Sequence, residues 1–388
     1  MSIPAATDVL IVGAGPTGLT LACQLAARGV DFVLIDRAAA GTNESRAAVI
    51  HARTLEILEP LGVNDALRAA GLIVPGFTAR DRGRVLITLQ FDGLRTDYPY
   101  LLMIPQSATE TVLGERLRAL GGTVHRPAAL TSIEHDDHTF IVGTTAPNAA
   151  PVFTRCRYVV GCDGMHSNVR GIAGIPFEGA AYPESFVLAD VRMDWPLPAD
   201  EGQLFLAPDG LMVIAPLPGW HHRIVATLEP APEHPDAAVV QAMLDRRGPP
   251  GEAARIREVL WSSRFHVHHR MARHYGRGGI FLAGDAAHVH SPAGGQGMNT
   301  GIQDAQFLGA RLADVLIDGA GEAVLDEYER VRRPVAMEVV KFTDRMTRFA
   351  TAKAPWQRLL RNVVMRTAGG VPAVRRRLAM QLSELATR

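Results

Sequence analysis

Apolar and polar positions in the first 36 residues predict two strands and a helix. Asp8–Val12 and Asp31–Ile35 are apolar runs of strand length. The segment between them, Leu19–Arg28, is apolar enough for a buried helix and is closed by Gly29. A strand, a helix and a second strand in this order form a βαβ unit.

The middle of the chain follows a different pattern. Between about residues 175 and 261, extended stretches are separated by Pro and Gly turns, which predicts an antiparallel sheet. These stretches are Glu184–Val191, Gln203–Ala207, Leu211–Pro216 and Arg223–Leu228. Further along, Ile280–Ala283 predicts another buried strand, and helical periodicity from about Met298 to Leu316 predicts a long helix.

A glycine-rich turn joins the first strand to the first helix. Gly13 permits a tight turn, Gly15 lets a pyrophosphate approach the backbone, and Gly18 lets the helix pack closely on the strand. Pro16 and Thr17 complete the turn, and the free amides of the helix start attract phosphate. The sequence therefore predicts a dinucleotide site.

Acidic Asp36 lies 23 positions beyond Gly13, at the end of the second strand. A carboxylate there accepts hydrogen bonds from the ribose hydroxyls of an adenosine, and Arg37 beside it is placed to cover the adenine. This half of the site fits NAD and FAD equally.

A second glycine-rich segment near residue 290 favours a flavin. Asp285 follows a predicted strand and is placed to bind a hydroxyl of a sugar alcohol chain. The amides of Gly297, Met298 and Asn299 open the long helix, where they can donate to a ring oxygen. A reduced flavin carries negative charge at that part of its ring, and a helix N-terminus stabilises it.

The chain resembles the FAD-dependent group A aromatic hydroxylases, the family of p-hydroxybenzoate hydroxylase and of polyketide hydroxylases. The resemblance rests on the first glycine motif, Ser45–His51, Ile104-Pro105-Gln106, Asp163-Gly164 and Gly284–His288. It implies that Arg46 and Gln106 contact FAD near the pyrophosphate and ribityl chain, and that Asp163-Gly164 serves both FAD and NAD(P)H. The predicted cofactor residues are Gly13, Gly15, Pro16, Thr17, Gly18, Asp36, Arg37, Arg46, Gln106, Asp163, Gly164, Asp285, Pro292, Gly295, Gly297, Met298 and Asn299.

The resemblance and the patterns together predict an α/β fold. A Rossmann-like FAD-binding domain (residues 1–72, 101–174 and 263–318) is interleaved with a mostly antiparallel substrate-binding sheet (73–100 and 175–262), and 319–388 form C-terminal helices. Many polyketide hydroxylases carry a thioredoxin-like domain after the flavin domains. This chain resembles the short members without it.

As function, the resemblance implies a monooxygenase. NADPH or NADH reduces FAD, O2 adds to form a flavin C4a-hydroperoxide, and one oxygen is transferred to an aromatic or polyketide-like substrate. No protein nucleophile is required, and we assign no catalytic residue. Two alternatives stay open at this point: Baeyer–Villiger-type insertion beside a ketone, and a non-catalytic flavin-binding redox module.

The substrate side is predicted from the middle sheet. Phe205, Met212 and Ile214 alternate along their strands, and they either line the ligand pocket together with Pro292 or pack under helices. The segment Leu211–Pro216 offers no polar side chain to pair a carboxylate, which favours an apolar, polycyclic aromatic substrate.

Charge and composition limit the remaining classes. The net charge is zero, but Lys341–Arg388 carries eleven Lys or Arg against Asp344 and Glu384, about +9. We interpret this tail as solvated helix faces, not as a nucleic-acid site. No apolar run long enough to span a membrane, no leader and no metal-binding spacing is evident in the sequence, and the cysteines are sparse. We expect a cytoplasmic monomer or homodimer with no metal.

Overall fold

The structure is a computed structural model that describes residues 3–41, 47–147, 149–251, 253–292, 294–351 and 354–387. Arg46, one of the predicted FAD contacts, lies outside these described residues.

The strands, in chain order, are β1 (Ala6–Val12), β2 (Phe32–Ile35), β3 (Val49–Ile50), β4 (Leu72–Val74), β5 (Gly76–Asp81), β6 (Arg84–Gln90), β7 (Leu101–Met103), β8 (Val124–His125), β9 (Ala129–Asp136), β10 (Thr139–Thr145), β11 (Val152–Gly161), β12 (Phe177–Asp194), β13 (Glu201–Ala207), β14 (Gly210–Leu217), β15 (His221–Thr227), β16 (Arg255–Ala272), β17 (Gly276–Arg277), β18 (Ile280–Leu282) and β19 (His288–Val289).

The helices are α1 (Pro16–Ala27), α2 (Ala52–Leu58), α3 (Asn64–Ala70), α4 (Gln106–Ala119), α5 (Asn168–Ile172), α6 (Ala237–Arg247), α7 (Gly297–Leu316), α8 (Asp326–Ala350), α9 (Pro355–Gly369) and α10 (Pro372–Leu382).

The first sheet contains the predicted βαβ unit. Its order is β17-β18-β11-β1-β2-β8, and β8, β2, β1, β11 and β18 run parallel. Val9, Leu10 and Ile11 of β1 are fully buried, as expected for a parallel strand covered on both faces. Helix α1 packs against both α4 and α7, so the two glycine-rich helices lie side by side.

The second sheet has the order β19-β16-β12-β15-β14-β13-β5-β6 and is mostly antiparallel. One of its faces packs against α6. The opposite face packs against residues of α8 and α9. The α/β fold class, with parallel and antiparallel sheets and C-terminal helices, is confirmed. The division into domains at the predicted boundaries remains a prediction.

The C-terminal helices close the molecule around both sheets. Helix α8 packs on α7, while α9 and α10 both pack on β6. Within the described residues, no helix combines the length and the apolar character that crossing a membrane needs.

One buried acid ties the C-terminal segment to the core. Glu384 lies just beyond α10 with φ at +59° and is 4% exposed. Its carboxylate accepts a hydrogen bond from the Gln303 side chain of α7. Burial raises the pKa of Glu384 from 4.5 to about 8, and Arg332 and the Gln303 bond oppose the rise only in part.

This raised pKa predicts a pH-dependent stability. The folded state binds a proton that the unfolded state releases, so the contribution of Glu384 is complete below about pH 4.5 and is lost as pH rises to about 8. Urea unfolding across this range should show a flatter pH dependence in Glu384→Gln than in the parent protein. The matched control is Glu338→Gln on the exposed side of α8, which should follow the parent curve. Parallel curves for the parent and Glu384→Gln would contradict the prediction.

Candidate cofactor and substrate site

The first glycine turn is dictated by close backbone contacts. Gly13 has φ at +102°, and an added Cβ would lie 2.4 Å from the Cys162 carbonyl oxygen. A Cβ on Gly18 would lie 1.9 Å from the Gly13 carbonyl oxygen. Gly15, by contrast, faces open space, with nothing within 4 Å of its Cβ position. Close packing of β1 and α1 therefore requires glycine at positions 13 and 18, whereas Gly15 leaves room for a ligand.

Pro16 and Thr17 begin α1 immediately after the turn. Proline suits this first position because its missing N–H has no helical partner there. No side chain caps this helix start, which leaves its amides free for an anion.

At the adenosine end, Asp36 organises the turn. Its Oδ2 accepts the Ala14 N–H at 2.7 Å and its Oδ1 accepts the Ala38 N–H at 2.8 Å. Arg126 lies 3.6 Å from Asp36 and donates to the Ala14 carbonyl at 3.1 Å. Arg37 is exposed beside them. Arg126 was missed by sequence reasoning, because it follows the two-residue strand β8, too short to leave a pattern.

Gln106 begins α4 and bonds to Glu110 through its Nε2 at 2.8 Å. Its Oε1 lies 3.5 Å from the Ala47 amide, next to the segment that contains Arg46. This brings Gln106 near the chain stretch predicted to contact the pyrophosphate.

The Asp163-Gly164 motif lies against the first glycine turn, because Cys162 contacts Gly13. Asp163 Oδ2 accepts the amides of Asn168 at 2.7 Å and Val169 at 3.2 Å, which holds the start of α5. Its Oδ1 is buried without a hydrogen-bond partner among the described residues. Such an atom is available to a bound ligand.

Thr17 connects the first glycine turn to the second. Added Cβ atoms at Gly284 and Gly301 would lie 2.6 Å and 2.5 Å from Thr17 Oγ1. The 3₁₀ turn Gly284–Ala286 and the first turns of α7 are therefore held against the start of α1. Asp285 in that turn is exposed.

The start of α7, like that of α1, receives no side-chain cap from the described residues. Gly297 and Met298 form its half-buried first turn. Gly295, just before it, has φ at +66°, and a Cβ there would lie 2.2 Å from Val49 Cγ1. Pro292 is exposed in the same loop.

Asn299 has a structural side chain. Its Oδ1 accepts the His51 amide at 2.9 Å, and its Nδ2 donates to Val49 O at 3.0 Å and Gly295 O at 2.9 Å. His51 Nε2 donates to Gly294 O at 2.8 Å. Burial lowers the pKa of His51 to about 4, so the ring is neutral when it makes this bond. The role of His51 was not predicted, because these partners lie more than 240 residues away.

The substrate prediction for Phe205, Met212 and Ile214 is corrected by their positions. All three are at most 1% exposed and pack with Val240 and Met243 of α6, in the core on the far face of the sheet. Of the two alternatives, the structure therefore supports the one in which these residues pack under a helix. Alternation shows that two faces differ, but not which one a helix covers.

The opposite face of the same strands carries half-buried apolar side chains. Leu204, Val213, Ala215 and Val225 alternate with the buried set. Ala215 packs against the core of the first sheet, and Leu204, Val213 and Val225 pack with residues of α8 and α9. This face is therefore the inner one, between the sheet, the flavin-binding region and the C-terminal helices.

One ion pair lies on the inner face beside Ala215. Arg223 donates to both carboxylate oxygens of Asp190, each at 2.7 Å, and its Nη1 donates to Ala47 O at 3.1 Å. The arginine side chain is 2% exposed and the aspartate 20%. As predicted, Leu211–Pro216 contributes no charge, but the neighbouring strands contribute this neutralised pair.

The arrangement fits FAD. The uncapped starts of α1 and α7 adjoin one another at Thr17, and Gly15 leaves space for a pyrophosphate. Asp163 keeps a buried oxygen that bonds none of the residues that the structure describes. These residues, with Asp36 and Asp285 at either end, are the ones that would hold it.

Comparison with known proteins gives a family. A family model described as an FAD binding domain matches residues 6–343. The chain is 36% identical over 355 residues to 12-dehydrotetracycline 5-monooxygenase/anhydrotetracycline 6-monooxygenase of Streptomyces rimosus, covering 87% of this chain and 68% of that protein.

Two solved structures are similar along nearly the whole chain. The p-nitrophenol 4-monooxygenase of Pseudomonas putida DLL-E4 has a TM-score of 0.88 at 28% identity, covering 98% of this chain and 99% of that one. The anhydrotetracycline hydroxylase of Streptomyces rimosus has a TM-score of 0.82 at 34% identity, covering 98% and 76%.

The glycine turn predicts two different mutational effects. Gly18→Ala should lower the free energy of unfolding by at least about 3 kcal/mol, because its Cβ overlaps Gly13 O. Gly15→Ala, the matched control, should change stability by less than about 1 kcal/mol yet weaken FAD binding about tenfold, because only the ligand approaches that Cβ. Urea unfolding and FAD titration of the apoprotein measure both. Equal stability losses would contradict this account of the turn.

Asp285→Ala tests the sugar-chain assignment. The side chain is exposed, so the variant should fold normally but bind FAD about tenfold to a hundredfold more weakly, having lost a charge-assisted hydrogen bond. Flavin fluorescence titration measures the affinity. Asp318→Ala, which removes another exposed carboxylate, should bind FAD like the parent. Full flavin retention by Asp285→Ala would show the assignment to be wrong.

Proposed function

Because this chain belongs to the FAD-dependent aromatic hydroxylases and is a flavin monooxygenase, we propose that it hydroxylates an uncharged polycyclic aromatic substrate on the inner face of the second sheet. When bound, FAD that is reduced by NADPH or NADH and reacts with O2 supplies the inserted oxygen. The part of this chain is to bind and orient the substrate and to exclude water from it.

The observation that carries the proposal is the neutralised pair Asp190–Arg223. Both guanidinium–carboxylate bonds are 2.7 Å, and a third arginine N–H is used by Ala47 O. A substrate carboxylate at this face would have to displace Asp190 or remain unpaired, and both are costly in a buried site. An uncharged ring system neither displaces Asp190 nor leaves a buried charge unpaired.

The width of the apolar face supports a polycyclic ring system. Leu204, Val213 and Val225, which stay half-buried although they pack with residues of α8 and α9, belong to the three adjacent strands β13, β14 and β15. Adjacent strands lie about 4.8 Å apart, so these side chains cover about 10 Å across the sheet. That exceeds what one benzene ring needs for contact.

The monooxygenase assignment sets aside a non-catalytic redox module. Oxygen insertion beside a ketone would use the same face and is distinguished by its product. A cytoplasmic location is part of the proposal, supported by Cys23, Cys156 and Cys162, all buried and without a disulfide. The proposal also includes that the protein is a monomer or a homodimer and that it accepts electrons from NADPH or NADH.

A paired ligand screen tests the substrate class. The holoenzyme is given NADPH or NADH with neutral polycyclic phenols and with the same phenols bearing a carboxylate, while nicotinamide oxidation and peroxide release are recorded. Neutral compounds should stimulate oxidation with little peroxide and yield a product one oxygen heavier. Better turnover of the carboxylated partners would contradict the proposal, and a lactone or ester product would show insertion beside a ketone.

The inner face also predicts a mutational split. Val213→Phe fills space on the half-buried side of β14, so it should raise KM for the substrate at least about tenfold. FAD affinity should stay unchanged, because no FAD-binding residue is altered. The matched control is Val85→Phe on β6, where Val85 is 45% exposed. Unchanged substrate kinetics in Val213→Phe would exclude this face as the substrate surface.

A further inference from the structure

Helix α9 is packed with its apolar side outward. Trp356, Leu359, Leu360, Val363 and Val364 are between 45% and 68% exposed. Their spacing of three and four residues puts them on one side of the helix, over about 12 Å of its length. We call these five residues the α9 stripe.

The inward side of α9 carries the polar residues Arg361 and Asn362 beside the apolar Met365, so it is more polar than the inward side of an ordinary surface helix. Arg361 is 2% exposed and donates to the carbonyls of Ala350 at 3.0 Å and Leu206 at 3.2 Å. Asn362 donates to Asp81 at 2.7 Å. Turning the stripe inward would break these bonds and expel a satisfied arginine, so the orientation is fixed by the fold.

Basic residues adjoin the stripe. Arg366 is exposed on α9 itself, and Arg375, Arg376 and Arg377 are exposed on α10, which packs beside α9 on β6. From Arg345 to Ser383 the sequence contains no Asp or Glu. The exposed arginines of this segment therefore find no carboxylate within it, and Asp81, which lies against α9, bonds Asn362 on the inward side of the helix.

We propose that the α9 stripe docks this protein on the surface of an anionic lipid bilayer. An exposed apolar helix face with tryptophan at one end, flanked by arginine, matches what inserts shallowly at a lipid interface. Anionic headgroups neutralise the arginines while the apolar side chains enter the acyl boundary.

Charge complementarity selects lipid over a second copy of the chain. A symmetric contact through α9 brings the same surface of both copies together. Neither copy would offer a carboxylate from Arg345–Ser383 to the arginines of the other. Like charges would therefore oppose one another across such an interface.

Docking at a bilayer also places the enzyme where apolar aromatic compounds collect. The docking itself does not depend on the substrate proposed above, because the α9 stripe faces away from the sheet, on the side of the helix opposite Arg361. Failure of the substrate screen would leave it intact.

Vesicle flotation of the FAD-loaded protein tests the proposal. The protein is mixed with phosphatidylcholine vesicles, or with vesicles containing about 30% phosphatidylglycerol, at low and high salt. We expect flotation with the anionic vesicles, weakened by salt, and much less with the neutral ones. A protein that stays at the bottom of the gradient with anionic vesicles would overturn the proposal.

Two variants separate the apolar and the charged contributions. Trp356→Ser/Leu359→Ser should reduce the vesicle partition coefficient more than about tenfold. Its matched control is Trp220→Ser, which removes a tryptophan that is 86% exposed on the β14–β15 turn and should partition like the parent. Arg376→Gln/Arg377→Gln should reduce partition about 30-fold on anionic vesicles only. Arg68→Gln/Arg118→Gln, which makes the same charge change at exposed sites elsewhere, is its control.

Flavin absorbance and thermal unfolding confirm that each variant is folded and loaded. Equal flotation of Trp356→Ser/Leu359→Ser and the parent would overturn the role of the stripe. Sedimentation velocity without lipid adds an independent outcome. A parent dimer that dissociates in this variant would show that the occupant is a second copy of the chain, and would refute lipid docking.

Discussion

The buried carboxylate of Asp304 is the constraint on which the flavin-binding end of the molecule depends. It receives the Gly284 amide at 3.3 Å, lies 2.6 Å from His288 Nε2 and accepts Arg332 Nε at 2.8 Å. Burial alone would raise the pKa of Asp304, but Arg332 and His288 together hold it below the usual range. Because an unpaired charge here is costly, α7 has one rotational setting, and the loop with Asp285 is fixed beside it.

The C-terminal segment extends this constraint to the flavin loop. Arg332 also donates to Thr300 O at 3.3 Å, within the first turns of α7. In the last turn of α10, Gln381 O lies 3.4 Å from the Gln296 side-chain amide, and just beyond the helix Ser383 O accepts the Arg53 amide at 3.2 Å. The C-terminal end of α10 thus packs against the loop at Gly294–Gly297 from outside. This places the basic tail in contact with the flavin-binding end, where composition alone had indicated only solvated helices.

Local patterns predicted much of the fold, and long-range packing determined what they missed. The glycine turn and α7 were predictable because glycines at fixed spacing and helical periodicity are signals carried by consecutive residues, even though the contact of Gly13 with Cys162 is long-range. The bond between His51 and Asn299 was not, since it joins residues 248 positions apart. Alternation in β13 and β14 predicted two faces, but only the position of α6 decides which is covered. In α9 the charged residues suggested a solvated face, whereas Arg361 is inside.

The order of strands in the first sheet has a consequence for biosynthesis. Strand β1 is made first and pairs on one side with β2, but its other neighbour β11 begins at Val152, and β18 beside β11 begins at Ile280. At about 5–20 residues per second, a nascent chain leaves this other edge of β1 unpaired for several seconds before β11 emerges from the ribosome. The second glycine loop and α7 emerge later still. FAD therefore cannot guide early folding of this enzyme. The complete site, with both glycine-rich segments, exists only in a nearly finished chain.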